Sequence, residues 1–252
     1  MSGAMNAAEQ VTAKATGPES LSAESRATAA CLAESYRVSP LDMVPNPSPL
    51  LVESTEEVAV PTSNGLFGLR AWRFADGAEH LSARALDRDG NPVPYEGGGV
   101  PAVRIHSECA TGDIFGSFRC DCGPQLENGL RIIGRTGGYL VYVRNHEGRG
   151  IGLVNKLRAY ALQDAGLDTL DANLALGLDG DMRDYSQAAL ILQELGVHEM
   201  RLVTNNPAKQ EALEGLGLRV TELIPDEIPA RVENAHYLHT KRERMRHLLE
   251  RA

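Results

Sequence analysis

RIHSECATGDIFGSFRCDCGPQLENGL, residues 104–130, is where the chain changes character. Upstream, from Val58 to about Ile105, the pattern is short β-prone runs: VAVPT, LFGLRAWRF, LSARALD and VPAVRI. Turn signals separate them at Ser63-Asn64-Gly65, Asp76-Gly77 and Asp89-Gly90-Asn91-Pro92, which predicts a set of antiparallel strands. Gly97-Gly98-Gly99 reads as a loop before the last run. Downstream of Cys122 the period becomes helical. Gln125 to about Arg135 puts Leu126, Leu130 and Ile133 on one face, and Pro124 suits an early helix position. Tyr139–Val143 reads as a buried strand, and Ile151–Ala165 as a helix with Leu153, Leu157 and Ala161 at four-residue spacing. Further helices are expected at Tyr185–Leu195, Ala208–Leu216 and His236–Leu249, and strands at Met200–Thr204 and Leu218–Leu223. Gly217 fits the position just past a helix end. Antiparallel strands followed by alternating strands and helices define an α/β (α+β) fold in one domain, 51–252.

Residues 1 to about 45 are rich in Ala, Ser, Thr and Glu without sustained periodicity, so 1–50 is expected to be a disordered or loosely helical extension. Pro45, Pro47 and Pro49 stiffen its end. A formal net charge of −9 argues against a surface that coats nucleic acid, although a local cluster of Arg and Lys could still hold an anion. No apolar run approaches the roughly 20 residues that span a bilayer. The N-terminus also lacks the apolar core of a secretory signal. The expectation is a cytoplasmic protein with neither nucleic acid nor membrane as partner.

Cys109, Cys120 and Cys122 cluster, while Cys31 stands alone. In a reducing compartment clustered thiols point to metal or catalysis rather than to disulfides. A loop of ten residues between Cys109 and Cys120 can bring the first thiol beside the Cys-x-Cys pair. Three thiols without an obvious fourth ligand suit a catalytic zinc, which keeps one position open; three core cysteines are the plainer alternative. His106-Ser107-Glu108 has the H-x-E form of nucleobase deaminases, but their P-C-x-x-C half is here Cys-Asp-Cys, and that reading fails.

Glu147-Gly148-Arg149-Gly150-Ile151-Gly152 runs from a strand into a helix. It is neither a dinucleotide fingerprint nor a P-loop, yet its glycines allow close backbone approach and Arg149 is a bidentate phosphate donor. Asp181, Arg183, Thr204, Asn205, Asn206 and Lys209 follow; Thr204 and Lys209 stand where α/β folds bind ligands, at a strand end and a helix start.

Together with RNHEGRGIGLVNKLRAYALQDAGLDTLDANLALG and RLVTNNPAKQEAL, the opening segment closely resembles GTP cyclohydrolase II, from about Val58 to Leu249. The resemblance implies hydrolysis of GTP to a 2,5-diamino-6-ribosylamino-pyrimidinone 5′-phosphate, formate and pyrophosphate, the opening of riboflavin synthesis. It implies one Zn²⁺ on Cys109, Cys120 and Cys122, Mg²⁺ with the triphosphate, and a homodimer. It places Arg104, Ile105, His106, Ser107, Glu108, Gln125, Glu147, Gly148, Arg149, Thr169, Thr204 and Lys209 against GTP. Asp181 is implied as proton acceptor, Arg183 as nucleophile, and Tyr160 in ring opening. A guanidinium that stays protonated suits charge stabilisation at least as well as nucleophilic attack. Many relatives carry a fused dihydroxybutanone phosphate synthase, for which the first 57 residues are too few, so a monofunctional enzyme is expected. Two other readings are a family member that stops at the formamide in a specialised pathway, and a non-catalytic nucleotide-binding zinc protein.

Overall fold

The computed structural model describes residues 22–36, 48–179, 181–235, 237–239, 242 and 248. Its centre is an eight-stranded sheet of two halves. β1 (Leu51–Ser54), β2 (Val58–Thr62), β3 (Gly65–Phe74) and β4 (Glu79–Leu86) are antiparallel, with β1 and β2 following one another along the same edge of β3. The turn at Ser63-Asn64 leaves Thr62 opposite Gly65, whose φ of 130° is open to glycine.

β5 (Ala102–Ser107), β6 (Gly138–Val143), β7 (Glu199–Val203) and β8 (Arg219–Ile224) are parallel, in the order β6-β5-β7-β8, and β6 joins the halves antiparallel to β4. From β5 the chain crosses to β6 on one side and later to β7 on the other. This reversal beside β5 leaves a crevice at the carboxyl ends of the strands, where such sheets bind ligands.

The helices are α1 (Ala23–Ser35), the single turn α2 (Ala110–Asp113), α3 (Cys122–Thr136), α4 (Gly152–Asp164), α5 (Thr169–Ala175), α6 (Ser186–Glu194) and α7 (Pro207–Gly215). One face of the sheet packs Trp72, Val103, Ile105 and Val141 against Ile191 and Leu192 of α6 and Leu213 of α7. The other packs Phe67, Ala102 and Leu140 against Ile133 of α3. A smaller cluster joins Ala29 of α1 to Ala159 and Leu162 of α4.

Several elements depart from the sequence expectation. VPAVRI, grouped with the antiparallel strands, pairs parallel to β6 and β7. The face of α4 carrying Leu153, Leu157 and Ala161 at four-residue spacing is not its buried face: Leu153 and Leu157 are exposed, while Asn155, Lys156, Ala159 and Leu162 point inward. β1, α1 and α5 were not expected as defined elements. The stretch 23–35 is a helix with Ser22 as its cap. The expected helix His236–Leu249 lies largely outside the described residues. Gly217, with φ +85°, follows α7 as expected.

Candidate metal centre and anion pocket

β5 ends at Ser107, and the chain turns at once through Glu108 and Cys109 into α2. Asp113, the last residue of α2, reaches back to fix this turn. Its Oδ2 accepts from the Cys109 amide at 3.0 Å and from the Tyr142 hydroxyl at 2.8 Å, and both of its oxygens lie 3.1 Å from His106 Nε2. Cys120 and Cys122 arrive at the start of α3, so that all three Sγ atoms lie within 4.8 Å of one another. Gly112 makes the approach possible, because a Cβ there would stand 3.0 Å from Cys120 Sγ and 3.2 Å from Cys109 Sγ.

These thiols fit zinc. Tetrahedral Zn–S bonds of about 2.3 Å place two sulfurs roughly 3.8 Å apart, and Cys109 and Cys120 are 3.7 Å apart. Among the described residues the cluster consists of the three cysteines, the count of a site with an open position. Lys156 of α4 supplies a cation, its Nζ 3.0 Å from Cys109 Sγ and 2.5 Å from Glu147 Oε1. Hydrogen bonds from Cys120 and Cys122, helped by Lys156, hold the Cys109 thiol well below its ordinary range. Cys120 is pushed up to about 11, first by its hydrogen bond to Cys109.

The same pocket, about 1090 Å³ with its open mouth included, is lined by the cysteines and by Arg104, Ser107, Glu108, Gln125, Arg149, Tyr160, Thr169, Arg183, Thr204 and Lys209. Several of its cations lack a full set of partners. Arg149 sits at φ 69°, rare outside glycine, and its buried Nη1 has no hydrogen-bond partner among the described residues. Lys209 is buried with Nζ 2.8 Å from the Ile105 carbonyl. Burial and then the neighbouring Arg104 and Arg183 drive its pKa far down. Like charges crowded in a buried site call for an anion. Arg183 is held by Asp181 in a fork, Nε to Oδ1 at 2.8 Å and Nη2 to Oδ2 at 2.5 Å, and its pKa is raised despite burial.

Other expected contacts are engaged within the protein. The Ile105 side chain lies in the core, so only its carbonyl faces the site. Arg104 donates to the Val203 carbonyl at 3.0 Å and to Gln125 Oε1 at 3.1 Å, and pairs with the fully buried Asp226 at 2.9 Å. Glu147 accepts from the Ala110 amide at 2.6 Å and pairs with Lys156, tying the glycine turn to the cysteine loop. Gly148, with φ 60°, lines the pocket beside it. Glu108 accepts from the Asn145 amide at 3.0 Å. Thr204 Oγ1 accepts from the Asn206 amide, and Thr169 opens α5 under the Asp168 cap. Tyr160 stands 3.4 Å from Thr111 with Arg119 over its ring. Asp181 acts on the pocket through Arg183.

Sequence reasoning missed Lys156, Asp113, Tyr142, His146 and Asp226. The first had a signal, since Lys156 stands four residues after Gly152, near the start of the helix that the glycine motif opens.

Fold and site together define an α/β protein with a metal-ready trio of thiols in a cationic, strand-end pocket. Residues 53–225 match the model of the GTP cyclohydrolase II family. The chain is 52% identical over 198 residues to the riboflavin biosynthesis protein RibBA of Rhodococcus jostii (strain RHA1), covering 78% of this chain and 47% of that protein. It is 51% identical over 197 residues to RibBA of Mycobacterium marinum, covering 78% and 46%. A solved structure of RibBX, a two domain 3,4-dihydroxy-2-butanone 4-phosphate synthase from A. baumannii, gives a TM-score of 0.35 at 19% identity, covering 78% of this chain and 44% of that one; this likeness carries no argument. The chain belongs to the GTP cyclohydrolase II family. It spans about half the length of the curated relatives it matches.

Proposed function

We propose that the chain hydrolyses GTP to 2,5-diamino-6-ribosylamino-4(3H)-pyrimidinone 5′-phosphate, formate and pyrophosphate, the first step of riboflavin biosynthesis. The observation that carries the reading is the convergence of Cys109, Cys120 and Cys122 with Arg149, Arg183 and Lys209 in one pocket.

Cys109, Cys120 and Cys122 would hold Zn²⁺, which when bound would supply the Lewis acidity that activates water toward the electrophilic purine carbon C8. Lys156 offsets the negative charge of the thiolates and fixes Cys109. Burial raises the pKa of Tyr160, so its Oη keeps a proton at neutral pH and can deliver it to the ring nitrogen released on opening. Glu108 offers a carboxylate at the lip of the cysteine turn, oriented by the Asn145 amide. Arg149, Arg183 and Lys209 take the triphosphate, whose Mg²⁺ enters with GTP. Pyrophosphate release is then a matter of positioning and charge. Arg183, forked on Asp181 and held protonated, acts by stabilising charge rather than as nucleophile.

The resemblance implies a homodimer, and exposed Ile114 and Phe115 with Leu153, Val154 and Leu157 supply the apolar surface that self-association needs. Sedimentation of the full chain tests this.

The deciding assay gives purified protein GTP and Mg²⁺ and follows formate, pyrophosphate, product mass and bound zinc. Stoichiometric formate with the deformylated product is expected. A product that retains the formyl group would show a specialised member, and nucleotide binding without turnover would show a non-catalytic one. Arg183→Lys should slow pyrophosphate release without trapping a nucleotidyl adduct; an adduct on wild-type Arg183 would establish it as the nucleophile.

A further inference from the structure

His146 lines the pocket, yet the proposed chemistry gives it no task. It lies just before the strained glycine turn, buried, with its ring edge-on to Tyr185 at 5.3 Å. Nε2 is 2.8 Å from the Asp184 carbonyl oxygen. A carbonyl only accepts, so Nε2 carries the proton. The ring is neutral, because burial first and then Arg183 and Lys209 push its pKa down to about 3. Nδ1 is therefore a bare lone pair, and its partner at 3.1 Å, Ser107 Oγ, must donate to it.

A serine hydroxyl normally rotates to donate or accept as its ligand requires. Here its one proton is committed, so Ser107 meets the pocket and the neighbouring buried Tyr185 hydroxyl with lone pairs only. The Asp184 carbonyl that fixes His146 belongs to the segment 181–185, which carries Arg183. A second hydrogen bond, from the Met182 amide to the Arg149 carbonyl at 2.9 Å, ties that segment to the same turn.

We propose that His146 is a positioning residue that makes Ser107 an obligate hydrogen-bond acceptor and clasps the Arg183 segment to the end of β6. The role rests on the GTP reading in one respect. A triphosphate offers no donor, so the fixed acceptor addresses the base, the ribose or the reacting water, while the clasp holds a phosphate-facing cation. His146 thereby couples the two parts of the pocket.

Nitrogen NMR of the imidazoles in the full, zinc-loaded chain tests the tautomer independently of turnover. An Nε2–H form, unchanged from about pH 8 to about pH 5, is expected, with Ser107→Ala shifting the Nδ1 resonance. An Nδ1–H form, or an imidazolium near pH 6, overturns the proposal. In kinetics, His146→Gln keeps one donor and one acceptor and should retain kcat/KM within about threefold, whereas His146→Leu should lose at least about tenfold. In a Ser107→Ala background the Leu substitution should cost clearly less. Equal losses for Gln and Leu in folded proteins, or costs that simply add, overturn the proposal. If wild-type protein fails to open GTP at all, the functional reading falls while the NMR result still judges the tautomer.

Discussion

The antiparallel and parallel halves of the sheet use polar residues in opposite ways. On β1, β3 and β4 the ion pairs reach solvent: Arg73 meets Glu53 and Glu79, each at 2.8 Å, with all three side chains about half exposed, and Arg84 meets Glu57 at 2.6 Å with both partly exposed. Buried polar side chains there have partners: the Trp72 indole donates to Ser82 Oγ at 2.9 Å, and His80 lies 2.7 Å from Gln187 Oε1 through Nε2 and accepts from the Arg144 amide at 3.1 Å through Nδ1. At the ends of β5, β6 and β7 the charges are buried, as in Arg104–Asp226 and Lys156–Glu147, and groups such as Arg149 Nη1 and His106 Nδ1 have no hydrogen-bond partner among the described residues. Buried groups left short of partners lower stability. Several of them line one pocket, and we read the parallel half as the carrier of the binding chemistry and the antiparallel half as its support.

If that division holds, damage to the two halves separates activity from stability. The largest effect is expected from Cys120→Ser. Zinc retention and ring opening should disappear together, with formate release down by at least about a thousandfold, or roughly 4 kcal/mol. The fold of the antiparallel half should survive, as judged by Trp72 fluorescence. Ring opening that persists without zinc would break the comparison and the mechanism with it.

Two stability losses come next. Trp72→Ala removes a fully buried side chain from the core and leaves Ser82 without its donor, which should cost about 3–5 kcal/mol in urea unfolding. The molecules that remain folded should keep their zinc stoichiometry. Asp226→Ala should cost a similar 3–5 kcal/mol, because Arg104 is left as an uncompensated buried charge. Unlike Trp72→Ala, it should also raise KM, since Arg104, which holds Gln125, loses its ion pair, although the Asp226 backbone carbonyl that Gln125 meets is unchanged.

The same contrast explains what the sequence made legible. Helix α3, with one apolar face, could be read from periodicity, and β6, buried along nearly its whole length, from its apolar run. The direction of β5 could not. AVRIHS alternates apolar and polar residues like a half-exposed antiparallel strand, but Arg104 and His106 are buried toward α3 and the pocket. α4 misled for a related reason: it turns Lys156, Tyr160 and Gln163 to the pocket and leaves Leu153 and Leu157 in solvent. β1 is four residues long, and α1 buries little beyond Ala29. At the site, the thiols were legible from spacing and the remaining contacts from the resemblance. Asp113, His146 and Asp226 were not, because each acquires its role only when strands distant in sequence meet.

A smaller effect concerns pH. His146 has a folded pKa near 3 against about 6.5 when unfolded. Below about 6.5 the unfolded chain takes up a proton that the folded chain refuses, so stability is complete above that value and declines as pH falls toward 3. At pH 5 the loss from this residue approaches about 2 kcal/mol. His80 and His106, lowered chiefly by burial, act in the same direction. Comparing urea midpoints at pH 7 and pH 5 for wild type and His146→Gln isolates the contribution: the variant should lose less. Equal losses would mean that the clasp at the pocket does not exclude the proton.

The smallest effect should come from Arg73→Ala. By distance alone its contacts with Glu53 and Glu79, at 2.8 Å, look as strong as the 2.9 Å pair between Arg104 and Asp226. Water decides otherwise. Around Arg73 the ions are solvated before and after the pair breaks, so little Coulomb energy is at stake and salt screens the remainder. The urea midpoint should stay within experimental error of wild type, and zinc content and kcat should not change. A clear loss of stability would show that the outer edge of β3 depends on its charges, and the contrast between a passive supporting half and a charged working half would have to be redrawn around Arg73.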